Sequence, residues 1–217
     1  MSGADRIAGM PIPSETLLLD HALLTTLVDN LADQGWSQHD LFIPQALTRE
    51  LAAECQQRAA DGRLARAGVG RGAATQVREG VRGDSIQWLE PGESVATDAY
   101  LSVMDQLRLA LNQALYLGLD DYESHFALYP PGAFYQRHVD RFRDDDRRTV
   151  SAVLYLNEGW LAEQGGALRI YPAEQPYDIA PLGGRLVIFM SGELPHEVLP
   201  ATRERLSLTG WFRRREA

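Results

Sequence analysis

The chain has 217 residues, 45% of them hydrophobic and 24% charged, which suffices for one sizeable core and excludes wholesale disorder. Its 21 basic and 30 acidic residues leave a formal charge of −9, against a dedicated nucleic-acid binder, whose affinity comes from basic side chains neutralising phosphates. A single cysteine, Cys55, excludes an intrachain disulfide framework and fits a reducing cytoplasm. The opening segment holds Asp5 and Arg6 where a signal peptide needs apolar residues, and Asp20 and His21 break the apolar run LLLDHALLTTLV, so no membrane span is expected.

In chain order, residues 15–34 read as a helix opened by Ser14, with Leu17, Leu18, Ala22, Leu24, Leu27 and Leu31 forming an approximate stripe and Gly35 closing it. A short strand is expected over 36–43, stopped by Pro44, and a second helix over 45–60, where Leu47, Leu51 and Cys55 recur every four residues. Cys55 on that stripe reads as a small buried hydrophobe. Residues 61–83 contain six glycines and five arginines with almost no large apolar side chain, which predicts a long mobile loop facing either solvent or a partner. Strand character returns over 85–90, and residues 94–118 form the clearest helix, with Tyr100, Met104, Leu107, Leu111 and Leu115 on one face.

From residue 122 onward the pattern changes to short strands, expected at 125–129, 134–139, 149–157, 167–171, 185–190 and 206–213. Gly165-Gly166 reads as a hairpin turn between two of them, and 141–148 as a charged, self-compensating loop. No repeat or domain boundary is visible. The fold class is therefore α+β, mainly β: a sandwich or jelly roll braced by N-terminal helices, one domain over 1–217 with helical support at about 14–118 and a β core at about 122–213.

His138 and Asp140 stand two apart at the end of a strand-like segment, where alternation puts side chains on one face. Such pairs arise by chance, but His196 offers a third ligand, and two histidines with one carboxylate suit non-haem Fe(II) and O₂ chemistry. Arg205, at the start of the last strand, has the fork to hold a dicarboxylate by its far end; read alone, it is a surface arginine. His21 and His39 read as ordinary helix or strand-edge histidines, and His125 as a strand residue rather than a ligand.

The segments Tyr129-Pro130-Pro131-Gly132, Tyr135-Gln136-Arg137-His138-Val139-Asp140, Tyr155-Leu156-Asn157, Gly165-Gly166-Ala167-Leu168-Arg169-Ile170-Tyr171-Pro172 and Pro195-His196-Glu197-Val198 resemble 2-oxoglutarate- and Fe(II)-dependent prolyl hydroxylases. The resemblance is to the prolyl hydroxylase domain enzymes that modify hypoxia-inducible factor and to their bacterial relatives, over residues from about 75 to 212. It implies a double-stranded β-helix with Fe(II) on His138, Asp140 and His196, and with Arg205 and Tyr155 holding the 5-carboxylate of 2-oxoglutarate. Tyr129 would line the pocket near the metal, Thr209 would contact cosubstrate or water, and Trp211 would form part of the wall. Arg82, Asp84 and Arg148 match charged positions at the substrate entrance, with a salt bridge between Asp84 and Arg148 expected.

The activity so implied is hydroxylation of a proline in a protein, consuming O₂ and 2-oxoglutarate and releasing succinate and CO₂, with ascorbate as a stimulant. Elongation factor Tu is the candidate partner. A free amino acid as substrate, or an iron- and 2-oxoglutarate-binding sensor with little turnover, are the alternatives. Met190-Ser191-Gly192-Glu193 departs from the family's usual run, as does most of 61–83.

Overall fold

The computed structural model describes residues 17–68, 78, 80–141, 145–172 and 175–215. Ser14 and much of the glycine- and arginine-rich stretch, 69–77 and 79, lie outside them. Three helices precede most of the strands: α1 (His21–Gln34), α2 (Gln45–Ala60) and α3 (Val95–Leu115). The strands are β1 (Trp36–His39), β2 (Ala65–Arg66), β3 (Ser85–Trp88), β4 (Leu119–Tyr129), β5 (Tyr135–His138), β6 (Arg148–Tyr155), β7 (Leu168–Ile170), β8 (Tyr177–Ile179), β9 (Leu186–Met190), β10 (His196–Val198) and β11 (Arg205–Arg214). They form a seven-stranded sheet in the order β1-β9-β6-β11-β4-β3-β2 and a four-stranded sheet in the order β5-β10-β7-β8. Every pairing among them is antiparallel, the arrangement expected of a jelly roll.

The large sheet separates two apolar layers, and strand alternation decides which residue faces which. Phe126, Val150, Ala152, Leu154, Leu186, Ile188, Leu206, Leu208 and Phe212 join the stripes of the three helices in one core. Their neighbours Ala127, Tyr129, Val153, Tyr155, Val187 and Phe189 turn the other way, toward Leu168, Ile170 and Val198 of the small sheet. Apolar residues on both faces explain why β6 and β9 read as continuous runs rather than alternating ones.

Several boundaries differ from the sequence reading. The first helix starts at His21 because Asp20 caps it, its carboxylate accepting from the Ala22 N–H at 2.7 Å. The third starts after Ser94, whose Oγ accepts from Thr97 N–H at 3.0 Å, and stops at Leu115, where Tyr116 turns left-handed at φ 54°. The first strand is only Trp36–His39, since Leu41 at φ 55° takes the chain out of extended geometry. Within 61–83, expected as loop, Ala65–Arg66 pairs with Ile86 and Ser85. Three-residue strands at Tyr177–Ile179 and His196–Val198 were not anticipated. Gly165-Gly166 is not a hairpin turn: the strands on either side, β6 and β7, belong to different sheets, and Gly165 bridges to Ala201 after a 3₁₀ turn, Ala162–Gln164.

Arg58 of α2 is a buried cation in the helical layer. Its Nε donates to Glu54 at 3.0 Å, its Nη1 donates to Glu93 at 2.9 Å, and its guanidinium lies 5.2 Å from the Phe126 ring centroid. Glu54 in turn accepts from Ser94 at 2.7 Å, so this cluster joins α2 to the cap of α3. Arg58→Met is expected to destabilise the fold by about 3 kcal/mol, because two carboxylates lose their buried partner. Denaturant unfolding checks this; a midpoint equal to that of wild type contradicts it.

Candidate active site

His138 closes β5 and His196 opens β10, and the register of that strand pair sets them opposite each other. Their ring centroids are 4.3 Å apart. In each ring Nδ1 contacts a backbone carbonyl, Gln136 O at 2.7 Å for His138 and Leu194 O at 3.0 Å for His196. A carbonyl only accepts, so Nδ1 carries the proton and the Nε2 lone pair is left for another partner. Tyr135 stacks on His138 at 3.6 Å between centroids, and Phe189 meets His196 edge-on at 4.6 Å, which fixes both ring planes.

Asp140 lies beyond the end of β5, so strand alternation does not aim it. A hydrogen bond from its N–H to Ser191 O at 3.0 Å does, and its carboxylate oxygens stand 3.5 Å from His138 Nε2 and 3.7 Å from His196 Nε2. One ligand atom from each of the three residues lies within 4.8 Å of the others. Burial alone would raise the Asp140 carboxyl, but the two histidines and the Ser151 hydroxyl overcome it and hold the group well below the usual carboxylate range. Burial pushes His196 the other way, down toward the neutral form. An ionised carboxylate and a neutral imidazole are the protonation states a divalent metal requires.

The three residues border a cavity of about 690 Å³ lined also by Tyr129, Val153, Leu168, Arg205, Thr209 and Trp211. Arg205 is the first residue of β11 and only 2% exposed. Its Nε donates to Gly166 O at 2.9 Å, and its guanidinium carbon lies 5.2 Å from the Tyr129 ring centroid and 5.0 Å from that of Tyr155. Among the described residues no carboxylate pairs with it. The Tyr155 hydroxyl beside it is buried without a hydrogen-bond partner, as is Trp211 Nε1. A buried cation with no carboxylate partner among the described residues, beside a buried hydroxyl with no hydrogen-bond partner, fits the carboxylate end of a dicarboxylate.

The remaining expected residues fall at the mouth in a different pairing. Arg82 donates to Asp84 at 2.6 and 2.9 Å and lies over the Tyr135 ring at 4.9 Å. Arg148 donates to Glu123 at 3.0 Å and lies 3.5 Å from the Trp211 ring centroid. The expected Asp84–Arg148 bridge is not among these contacts: Arg82 holds Asp84 just before β3, and Arg148 on β6 reaches past β11 to Glu123 on β4. Trp88, 44% exposed, stands against His125 and Trp211 at the same rim.

Sequence reasoning missed two groups that hold Arg205. Asn157, 4% exposed, accepts from Leu206 N–H at 2.7 Å and donates to Leu206 O at 3.0 Å, clamping the residue after the arginine. Gly166, at φ +72°, supplies the carbonyl that Arg205 meets, and a Cβ there would lie 2.9 Å from Ala201 Cβ and 3.0 Å from Trp160. Both residues stood in recognisable motifs, but the partner of neither can be read from spacing.

Comparison with known proteins agrees with this geometry. Residues 124–213 match the 2OG-Fe(II) oxygenase superfamily. Human "Prolyl hydroxylase EGLN3" is 32% identical over 210 residues, covering 89% of this chain and 84% of the relative. A crystal structure of a Pseudomonas putida prolyl-4-hydroxylase superposes with a TM-score of 0.84 and 61% identity, covering 88% of this chain and 100% of that one. A Trichoplax adhaerens prolyl hydroxylase in complex with a hypoxia-inducible factor peptide fragment superposes at 0.79 with 28% identity, over 88% of this chain and 89% of that one. The donor set, an Arg205 with no carboxylate partner among the described residues and these relatives agree: the chain belongs to the 2-oxoglutarate- and Fe(II)-dependent oxygenases and is a dioxygenase of the prolyl hydroxylase type.

Proposed function

We propose that the protein hydroxylates a proline in a protein substrate, with Fe(II) held by His138, Asp140 and His196 and 2-oxoglutarate held by Arg205 and Tyr155. The observation that carries this reading is the pairing, across one cavity, of a His-Asp-His cluster with a buried arginine that meets no carboxylate among the described residues. Bound together, Fe(II) and 2-oxoglutarate would supply oxidative decarboxylation by O₂, one of whose oxygen atoms goes to succinate, formed with CO₂, and the other to the substrate carbon. The chain's own residues bind and orient. His138 and His196 present Nε2, Arg205 and Tyr155 fix the far carboxylate, and Tyr129, Val153, Leu168 and Trp211 line the cavity, with Thr209 set to contact cosubstrate or water.

A protein substrate is supported by the peptide-bound relative and by the exposed Trp88 at the cavity mouth, beside the Arg82–Asp84 and Arg148–Glu123 pairs. Elongation factor Tu is the first candidate to test. The compartment is read as cytoplasmic, in keeping with the single buried Cys55 thiol; among the described residues no helix is long and apolar enough to cross a membrane.

The test is anaerobic loading with Fe(II), 2-oxoglutarate and ascorbate, aeration in a cell lysate, and mass spectrometry for proline gaining one oxygen atom. One dominant hydroxyproline, absent with Asp140→Ala, is expected. Tight binding of both cofactors with no modified protein would move the reading to a free amino acid or to a sensor.

Gly166→Ala probes the cosubstrate pocket from behind. A left-handed φ costs an L-residue about 1–2 kcal/mol, and the new methyl must displace Ala201 or Trp160, moving the carbonyl that Arg205 meets. The KM for 2-oxoglutarate is expected to rise roughly tenfold, about 1.4 kcal/mol, with kcat at saturation largely kept. An unchanged KM contradicts the role given to this carbonyl.

A further inference from the structure

Two buried serines stand behind the metal cluster. Ser151 on β6 and Ser191 just after β9 are both 0% exposed, and Ser151 stands opposite Phe189 in the β6–β9 ladder. Ser151 Oγ lies 2.7 Å from Asp140 Oδ2, and Ser191 Oγ lies 2.8 Å from Ser151 Oγ. The direction of these bonds follows from the ionised carboxylate, which only accepts. Ser151 therefore donates to Asp140, its single proton is used, and Ser191 must donate to Ser151. The main chain repeats the connection: Ser191 O accepts from the N–H groups of Asp140 at 3.0 Å and Arg141 at 3.2 Å, while its own N–H donates to Thr149 O at 3.0 Å.

We infer that Ser151 and Ser191 form a directed relay that positions Asp140 for one-oxygen metal ligation; this rests on the ligand assignment proposed above. The torsion that turns a carboxylate about its own axis is broad and roughly two-fold, so the backbone bond alone leaves Asp140 free to rotate. Ser151 occupies Oδ2 and withdraws charge from it. Oδ1, 3.5 Å from His138 Nε2, is left for the metal, while Oδ2, which Ser151 holds, lies 3.7 Å from His196 Nε2. A second polarised hydroxyl strengthens the first bond. Packing alone would be served by alanine or valine at both sites, since a hydroxyl buried without a partner costs about 1–3 kcal/mol.

The experiment measures anaerobic Co(II) affinity and the Co(II) ligand-field spectrum, with no turnover required. Ser151→Ala is expected to bind about 10–100-fold more weakly and to show an altered spectrum. Ser151→Thr, which keeps the hydroxyl, should retain native affinity and spectrum. Ser191→Ala should fall between wild type and Ser151→Ala, and the double alanine variant should be no worse than Ser151→Ala, because the two act in series. Should Ser151→Ala fail to fold, Ser151→Cys, whose thiol is a weak donor, carries the same expectation. Native affinity and spectrum in Ser151→Ala or Ser151→Cys overturn the relay. Asp140→Ala separates the two levels: if it too binds Co(II) normally, the ligand assignment has failed; if it alone loses the metal, only the relay has.

Discussion

Asp140→Ala is expected to abolish turnover and to remove tight metal binding while leaving the fold intact. Asp140 supplies the only carboxylate of the cluster, and it lies in the cavity wall rather than in either core, so truncation creates no apolar void. The substitution also removes the ionised group that faces both imidazole Nε2 atoms at 3.5 and 3.7 Å. Two histidines remain, too few to hold a divalent ion in place. Asp140→Asn keeps the shape and loses the charge, which separates ligation from packing. Metal affinity by anaerobic titration and a thermal scan without metal check the two halves. Substantial turnover in Asp140→Ala would sink the ligand assignment.

Arg205→Ala is expected to act on the cosubstrate rather than on the metal. Removing one member of a buried, hydrogen-bonded charge pair costs about 2–5 kcal/mol, a rise in the KM for 2-oxoglutarate of roughly 30-fold to several thousand-fold. Arg205→Lys should recover little, since an ammonium cannot reproduce the planar fork or its place between the Tyr129 and Tyr155 rings. A second readout is independent of activity. Without cosubstrate, Arg205 is a buried cation facing no carboxylate among the described residues, so Arg205→Met should leave the cofactor-free protein at least as stable as wild type. Wild type should gain about 2.7 kcal/mol at 100 times the Kd of 2-oxoglutarate, and Arg205→Met should gain nothing. An equal thermal shift in both would count against the role of Arg205.

The parts legible in the sequence were those written in local patterns. The stripes Leu47–Leu51–Cys55 and Tyr100–Met104–Leu107–Leu111 located α2 and α3, and all seven side chains are buried. The spacing of His138, Asp140, His196 and Arg205 located one cavity. What escaped depends on partners distant in the chain. β4 begins at Leu119 rather than at His125 because Asp121 and Glu123 pair across the ladder with Arg213, the former at 2.8 Å and the latter at 2.7 Å. Read singly, those acidic residues look like loop. The strands at 177–179 and 196–198 are three residues long, too short for any period to show. The roles of Ser151, Ser191 and Asn157 were not legible for a related reason: a polar side chain in an apolar strand has no meaning until its partner, eleven residues away in the case of Ser151 and Asp140, is in place.

The most direct test of the proposed reaction is the ratio of succinate to hydroxyproline in a single turnover of the iron-loaded protein with its modified partner or a peptide from it. Equal amounts, both lost with Asp140→Ala, are the predicted result. Succinate formed with no oxygen on any proline, or hydroxyproline still formed by Asp140→Ala, would contradict it.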